Sequence, residues 1–226
     1  MTAAADPRPP PPTRADGRPL LRGWLHAAAT PPALVAAWLL GSSAAGGGRR
    51  VSVVVFGACL VGLYATSSLY HVGSWSVRAR ELLSRCDGAM IPLFIAGTFT
   101  PVAFHALHGD WRTWSLVAAW TVAAVGAAVA GSPLRAPRWL GTAGYIAVGW
   151  LAVVPLAKIT AALSPEGSGL IVLGGLLYTL GGVVFARRRP DPAPSWFGYH
   201  EVFHLLVVAA TSAHYLAIWR YVLPMR

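Results

Sequence analysis

The sequence predicts an all-α membrane protein, a seven-transmembrane helix bundle. Three observations predict it. Of 226 residues, 55% are hydrophobic and 12% charged, roughly half the charge of a soluble domain. The mean hydropathy is +0.55. The apolar residues also gather into seven runs of membrane-spanning length, at 24–45, 51–71, 87–107, 113–131, 139–156, 169–186 and 199–222. A span needs about 20 mostly apolar residues, and runs this continuous are helices, because barrel strands alternate with a period of two. Two Cys exclude a disulfide scaffold, and the apolar content excludes a disordered chain.

Residues 1–21 differ from the rest. They are rich in Pro and Arg (Arg8-Pro9-Pro10-Pro11-Pro12-Thr13-Arg14) and read as a disordered tail before a single membrane domain at 22–226. The first run follows Arg and precedes small residues, as a secretory leader would. Its long basic approach and its Pro31-Pro32 break read instead as a retained span. The second run ends on Ser67-Ser68-Leu69-Tyr70-His71, and the third opens on Asp87. Pro92 and Pro101 in the third run and Pro155 in the fifth predict kinks. Glycines such as Gly126, Gly174 and Gly181 predict close helix packing in the fourth to sixth runs. The seventh run begins at Tyr199-His200-Glu201. Cys59 and Cys86 fall at different depths, which predicts no disulfide between them.

The net charge of +10 comes from 17 Arg and one Lys, almost all between the runs. With seven spans, Arg8, Arg14, Arg18, Arg22, Arg78, Arg80, Arg85, Arg135, Arg138, Arg187, Arg188 and Arg189 share one side, twelve in all. The other side holds six: Arg49, Arg50, Arg112, Lys158, Arg220 and Arg226. The positive-inside rule therefore predicts a cytoplasmic N-terminus and an external C-terminus in a cell membrane, expected to be a bacterial plasma membrane.

 The basic residues carry no interleaved aromatic stripe, so they point to anionic headgroups and not to nucleic acid. Membrane lipids are the expected partners.

Ionisable groups within apolar runs are costly and mark function. Here they are His71, Asp87, His200, Glu201, His204 and His214. Helix parity puts His71, Asp87 and the His200/His204 pair at one face of the membrane, the cytoplasmic one by the charge count. His200 and His204 are one helical turn apart, and Ser67 shares the face of His71 by the same spacing. A His pair one turn apart with a remote third His is a common way to hold zinc with an open coordination position. The plainer reading is a set of polar residues in the headgroup belt beside Tyr70 and Tyr199. The stretch from His200 to His204 also spells HExxH, the zincin pattern in which Glu201 would be the general base. Successive helical residues lie ~100° apart, so Glu201 need not face what the two His face. His214 is ten residues past His204, ~15 Å along a helix, which is too far for a shared ion. His105 and His108 fall at the other membrane face and are expected to be solvated.

Four stretches together resemble the hemolysin III family, the bacterial branch of the progestin and adipoQ receptor superfamily, which includes the adiponectin receptors. They are Arg22-Gly23-Trp24-Leu25-His26, Ser67 to His71, Asp87 with Ile95-Ala96-Gly97-Thr98-Phe99-Thr100-Pro101, and His200 to His204 with His214-Tyr215. The resemblance implies a seven-helix bundle with zinc near the cytoplasmic face. It implies His71, His200 and His204 as the zinc ligands, with Ser67 and Asp87 around the open position. Gly88 departs from the pattern, since many bacterial relatives carry His there.

The function expected is a zinc-dependent hydrolase of a lipid amide or ester, with Asp87 and Ser67 as its catalytic residues. Two other classes compete: a membrane-perturbing or pore-forming hemolysin-like protein, and a non-catalytic receptor or regulator with structural zinc. A water-filled pore calls for polar stripes, and the fourth and sixth runs have essentially none.

Overall fold

A computed structural model describes residues 13–14, 17–133 and 137–225. The described residues form helices α1 (Trp24–Ser43), α2 (Gly48–Val72), α3 (Val77–Ala106), α4 (Gly109–Gly131), α5 (Arg138–Trp150), α6 (Leu156–Ala162), α7 (Pro165–Arg187) and α8 (Tyr199–Ala217), and no β-strand. A 3₁₀ turn (Leu151–Val153) links α5 to α6, and a π turn (Ile218–Val222) extends α8.

Five segments are each long and apolar enough to cross a membrane: α2, α3, α4, α7, and α8 with its π turn. The α5–α6 pair, bent by 54°, makes a sixth if it is one span. The chain is therefore an all-α, multi-pass membrane protein. The fifth run is not the straight span ending at residue 156 that the sequence predicts. It breaks before Pro155, which has no N–H to give and crowds the preceding turn, and it resumes as α6. The 20-residue α1 runs unbroken through Pro31 and Pro32, where the sequence predicts a break, and is not among the five.

The third run also differs. Asp87 does not open α3; it lies ten residues inside it. Hydropathy misses the first turns because Arg78, Arg80, Glu81 and Arg85 fill them. They are helical for local reasons. The Ser76 hydroxyl caps the helix by accepting from Ala79 N at 3.3 Å, and Arg85 pairs with Glu81 one turn back at 2.7 Å.

Of the tail assigned to residues 1–21, residues 1–12 and 15–16 lie outside the described residues, as do Arg135 and Arg226. Its last part makes specific contacts. Leu20 N and Leu21 N donate to the carbonyls of Ser195 and Trp196 at 2.9 and 3.1 Å.

Sequential helices pack as neighbours, α1 on α2, α2 on α3, α3 on α4 and α7 on α8, while α8 also meets α1. The core between them holds Phe56, Leu60 and Tyr64 of α2, Phe94 of α3, and Val207 and Ile218 of the last helix. The outer faces are apolar as well. Trp38 is 69% exposed, Trp114 68% and Val154 70%, a surface that lipid covers and water would not tolerate.

A polar cluster lies between α7 and α8, against this core. Tyr178 and Thr211 share a 2.8 Å hydrogen bond, and His214 Nε2 donates to Ile171 O at 2.9 Å. The α7 backbone meets the His214 ring closely: a Cβ on Gly174 would lie 2.3 Å from it. Gly174→Ala is expected to destabilise the protein by about 1–3 kcal/mol through overpacking. A thermal melt in detergent checks this, with Gly175→Ala, where nothing lies within 4 Å, as the neutral control.

Candidate metal centre

The end of α2 and the start of α8 meet at one end of the bundle. α2 brings Ser67 and His71, spaced by one turn and both buried. α8 brings His200 and His204, likewise one turn apart. One ligand nitrogen from each of His71, His200 and His204 lies within 4.8 Å of the other two. The Nε2 atoms of His71 and His200 are 3.2 Å apart. Two nitrogens on one tetrahedral zinc, each bonded at ~2.0–2.1 Å, would be ~3.3 Å apart. The His71–His200 pair thus fits one divalent ion in spacing, and the three imidazoles suit zinc in chemistry.

Asp87 of α3 completes the group. Its Oδ2 is 3.7 Å from His71 Nε2, and the Ser67 hydroxyl is within hydrogen-bonding reach of the carboxylate. Residues 67, 71, 87, 200 and 204, separated by up to 137 positions in sequence, therefore share one site. Its carboxylate side chain is 23% exposed, so the site opens on that flank. A cavity of about 480 Å³ lies next to it, lined by Tyr70, Arg80, Ser84 and Ala130 among others, and the Tyr70 ring is 4.4 Å from that of His71.

The segment entering α1 holds both halves of the site. Arg14 Nη1 and Nη2 donate to the carbonyls of His71 and Val72 at 2.7 and 3.3 Å, and Arg18 Nη1 reaches His71 O at 3.5 Å. Guanidinium groups there satisfy carbonyls that the end of α2 leaves open and complement its negative pole. Gly23 sits against His71 with φ 85°; a Cβ there would be 2.4 Å from His71 Cβ. The His26 ring stacks on that of His204 at 3.9 Å and 8°. His26 is 2% exposed, and neither of its ring nitrogens has a hydrogen-bond partner; Nδ1 of His71 and of His204 also lack one.

Glu201 turns away from the imidazoles. Its carboxylate accepts from Arg22 Nε and, at 2.7 Å, from Gly198 N. Asp191 accepts from Tyr199 N at 2.8 Å. These bonds cap α8 and favour its positive pole. The HExxH stretch is thus a His pair carrying a structural glutamate, and it does not present a general base.

One sequence expectation needs correction. His105 is not solvated: it is 7% exposed, and neither ring nitrogen has a partner. The cysteine expectation holds: Cys59 is half-buried, Cys86 is exposed, and both are free thiols. The sequence reading left the parts of Arg22, Gly23 and His26 undefined. Their only signal was the short stretch from Arg22 to His26, which contains all three.

The chain is similar to several known proteins. A family model described as "Haemolysin-III related" matches residues 17–215. The "Hemolysin-3 homolog" of Bacillus subtilis is 28% identical over 171 residues, covering 76% of this chain and 77% of the relative. "Hemolysin-3" of Bacillus cereus is 30% identical over 175 residues, 77% and 76% of the two chains. The human "Monocyte to macrophage differentiation factor" is 26% identical over 210 residues, 88% and 82%. With a match that spans both halves of the imidazole site, the chain belongs to the hemolysin III family, within the progestin and adipoQ receptor superfamily.

Proposed function

We propose that the chain is a zinc-dependent hydrolase of a lipid amide or ester, held in the cell membrane by seven spans. The spans are α1, α2, α3, α4, the α5–α6 pair, α7 and α8, with the N-terminus cytoplasmic and the C-terminus outside. The observation that carries the reading is the convergence of three imidazole nitrogens within 4.8 Å beside a carboxylate 3.7 Å from one of them. His71, His200 and His204 would hold the ion. When bound, zinc with three neutral ligands supplies Lewis acidity that polarises a carbonyl and brings the pKa of a water toward ~7. Asp87 orients a water and accepts its proton at the carboxylate, then returns the proton to the leaving amine or alcohol. Ser67 donates a hydrogen bond to Asp87 and holds that carboxylate in place. The placement of the site within an apolar bundle supports a lipid substrate.

Metal analysis of the purified protein beside its His200→Ala variant tests the site. Stoichiometric zinc in the wild type and its loss in the variant are expected; retained zinc in His71→Ala, His200→Ala and His204→Ala would refute the ligand set. Hydrolysis of a panel of lipid amides and esters tests the activity. Asp87→Asn is expected to keep the zinc and to lower turnover by about 10²-fold or more. A metal that serves only to tie α2 to α8, as in a receptor or regulator, predicts zinc without turnover on any lipid. The name of the Bacillus cereus relative, "Hemolysin-3", favours a second reading, a membrane-perturbing protein. Liposome leakage that persists in the His200→Ala variant supports that reading and counts against the hydrolase.

A further inference from the structure

We propose a binding site for a phosphate-type oxyanion at the end of the bundle opposite the imidazoles. Gly48 and His71 mark the two ends of α2, about 35 Å apart along a straight helix. Around Gly48 lies a cavity of about 310 Å³, also lined by Arg49, Phe104, His105, His108 and Arg112. Among the described residues, no Asp or Glu lines it. Asp110 lies in the first turn of α4 and is not part of the lining.

The cavity is built to hold negative charge. Arg49 Nη1 donates to Met225 O at 2.8 Å, and Arg112 Nε donates to Leu107 O at 2.7 Å. Arg112 also lies over the Phe104 ring, 4.8 Å from its centroid. One bond each to the backbone fixes the two guanidiniums while leaving most of their five N–H groups to point elsewhere. Two long helices begin at the cavity, α2 at Gly48 and α4 just after His108, and each brings the positive end of its dipole and open N–H groups.

An independent observation marks the ligand. His105 lines the cavity, is 7% exposed, and has no hydrogen-bond partner at either ring nitrogen. Burying an imidazole with both nitrogens unpaired is unfavourable. Gathering two guanidiniums around it, with no Asp or Glu among the described residues of the lining, adds repulsion. A bound oxyanion resolves both: it accepts from an imidazole N–H and from the arginines, and its charge offsets theirs. Phosphate matches the fork of a guanidinium. The same chemistry occurs in the headgroup of an anionic phospholipid and in free phosphate.

The test is a titration of the purified protein in neutral detergent, read as the shift of its thermal unfolding midpoint. The probes are inorganic phosphate, phosphatidylglycerol and, as the zwitterionic control, phosphatidylcholine. A saturable upward shift with phosphate or phosphatidylglycerol, and none with phosphatidylcholine, is expected. A response to phosphatidylglycerol alone identifies the headgroup of a lipid; a response to phosphate identifies the oxyanion itself. Apparent affinity should fall at least tenfold in Arg49→Gln and in Arg112→Gln. If those variants do not fold, His105→Asn carries the test, with the same direction expected. Absence of a saturable shift with either anion, or one undiminished in every folded variant, overturns the proposal.

Discussion

Glu201→Ala is expected to produce the largest loss of stability of any single substitution near the site. The carboxylate is fully buried and accepts from Arg22 and from Gly198 N. Removing it leaves the Arg22 side chain, 12% exposed, without its counter-charge, and breaking a buried ion pair from one side costs about 3–5 kcal/mol. The loss of the cap on α8 adds about 0.5–2 kcal/mol. Glu201→Gln should fall between wild type and Glu201→Ala, because its amide oxygen still accepts from Gly198 N. A melt in detergent, with zinc measured on the protein that remains folded, checks both. The zincin reading of HExxH predicts the reverse, a stable, metal-loaded and inactive Glu201→Ala variant. The two accounts therefore separate on stability before any substrate is known.

What was legible in the sequence followed from hydropathy and helix geometry. Seven apolar runs located the long helices, and helix parity with i, i+4 spacing brought His71, Asp87, His200 and His204 to one depth. What was not legible depended on contacts between distant segments. The charged start of α3 hides a helix from hydropathy, because Arg78 to Arg85 are set by a Ser76 cap and a Glu81–Arg85 pair and not by burial. The break at Pro155 was legible as a kink, but its 54° bend was not. His105 looked solvated because it sits near the end of a run, yet it is buried and lines a cavity with Arg49 of α2 and Arg112 of α4. Glu201 shows the limit most clearly. Its spacing to the two His is that of a catalytic motif, and only the position of Arg22, 179 residues away, reveals its structural role.

Gly23→Ala is expected to loosen the metal centre without touching a ligand. The backbone of Gly23 has φ 85°, a left-handed conformation that costs an L-residue about 1–2 kcal/mol. Its added Cβ would also lie 2.4 Å from His71 Cβ and 3.3 Å from the His71 carbonyl carbon. Neither atom is the far end of a flexible side chain, so either the α1 entry or the last turn of α2 must move. Overpacking of this kind costs a further ~1–3 kcal/mol. Moving α2 displaces His71 from His200, while moving the entry disturbs the His26 ring on His204 and the Arg22–Glu201 pair. Each route reaches a ligand through a contact beyond it, where substitutions typically weaken metal affinity by about 10–100-fold. Gly17→Ala is the control. Its φ of 73° carries the same backbone cost, but nothing lies within 4 Å of the added Cβ. Competition against a zinc chelator should show weakened affinity in Gly23→Ala and wild-type affinity in Gly17→Ala. Equal affinity in the two would mean that the contact between α1 and His71 does not set the geometry of the imidazoles.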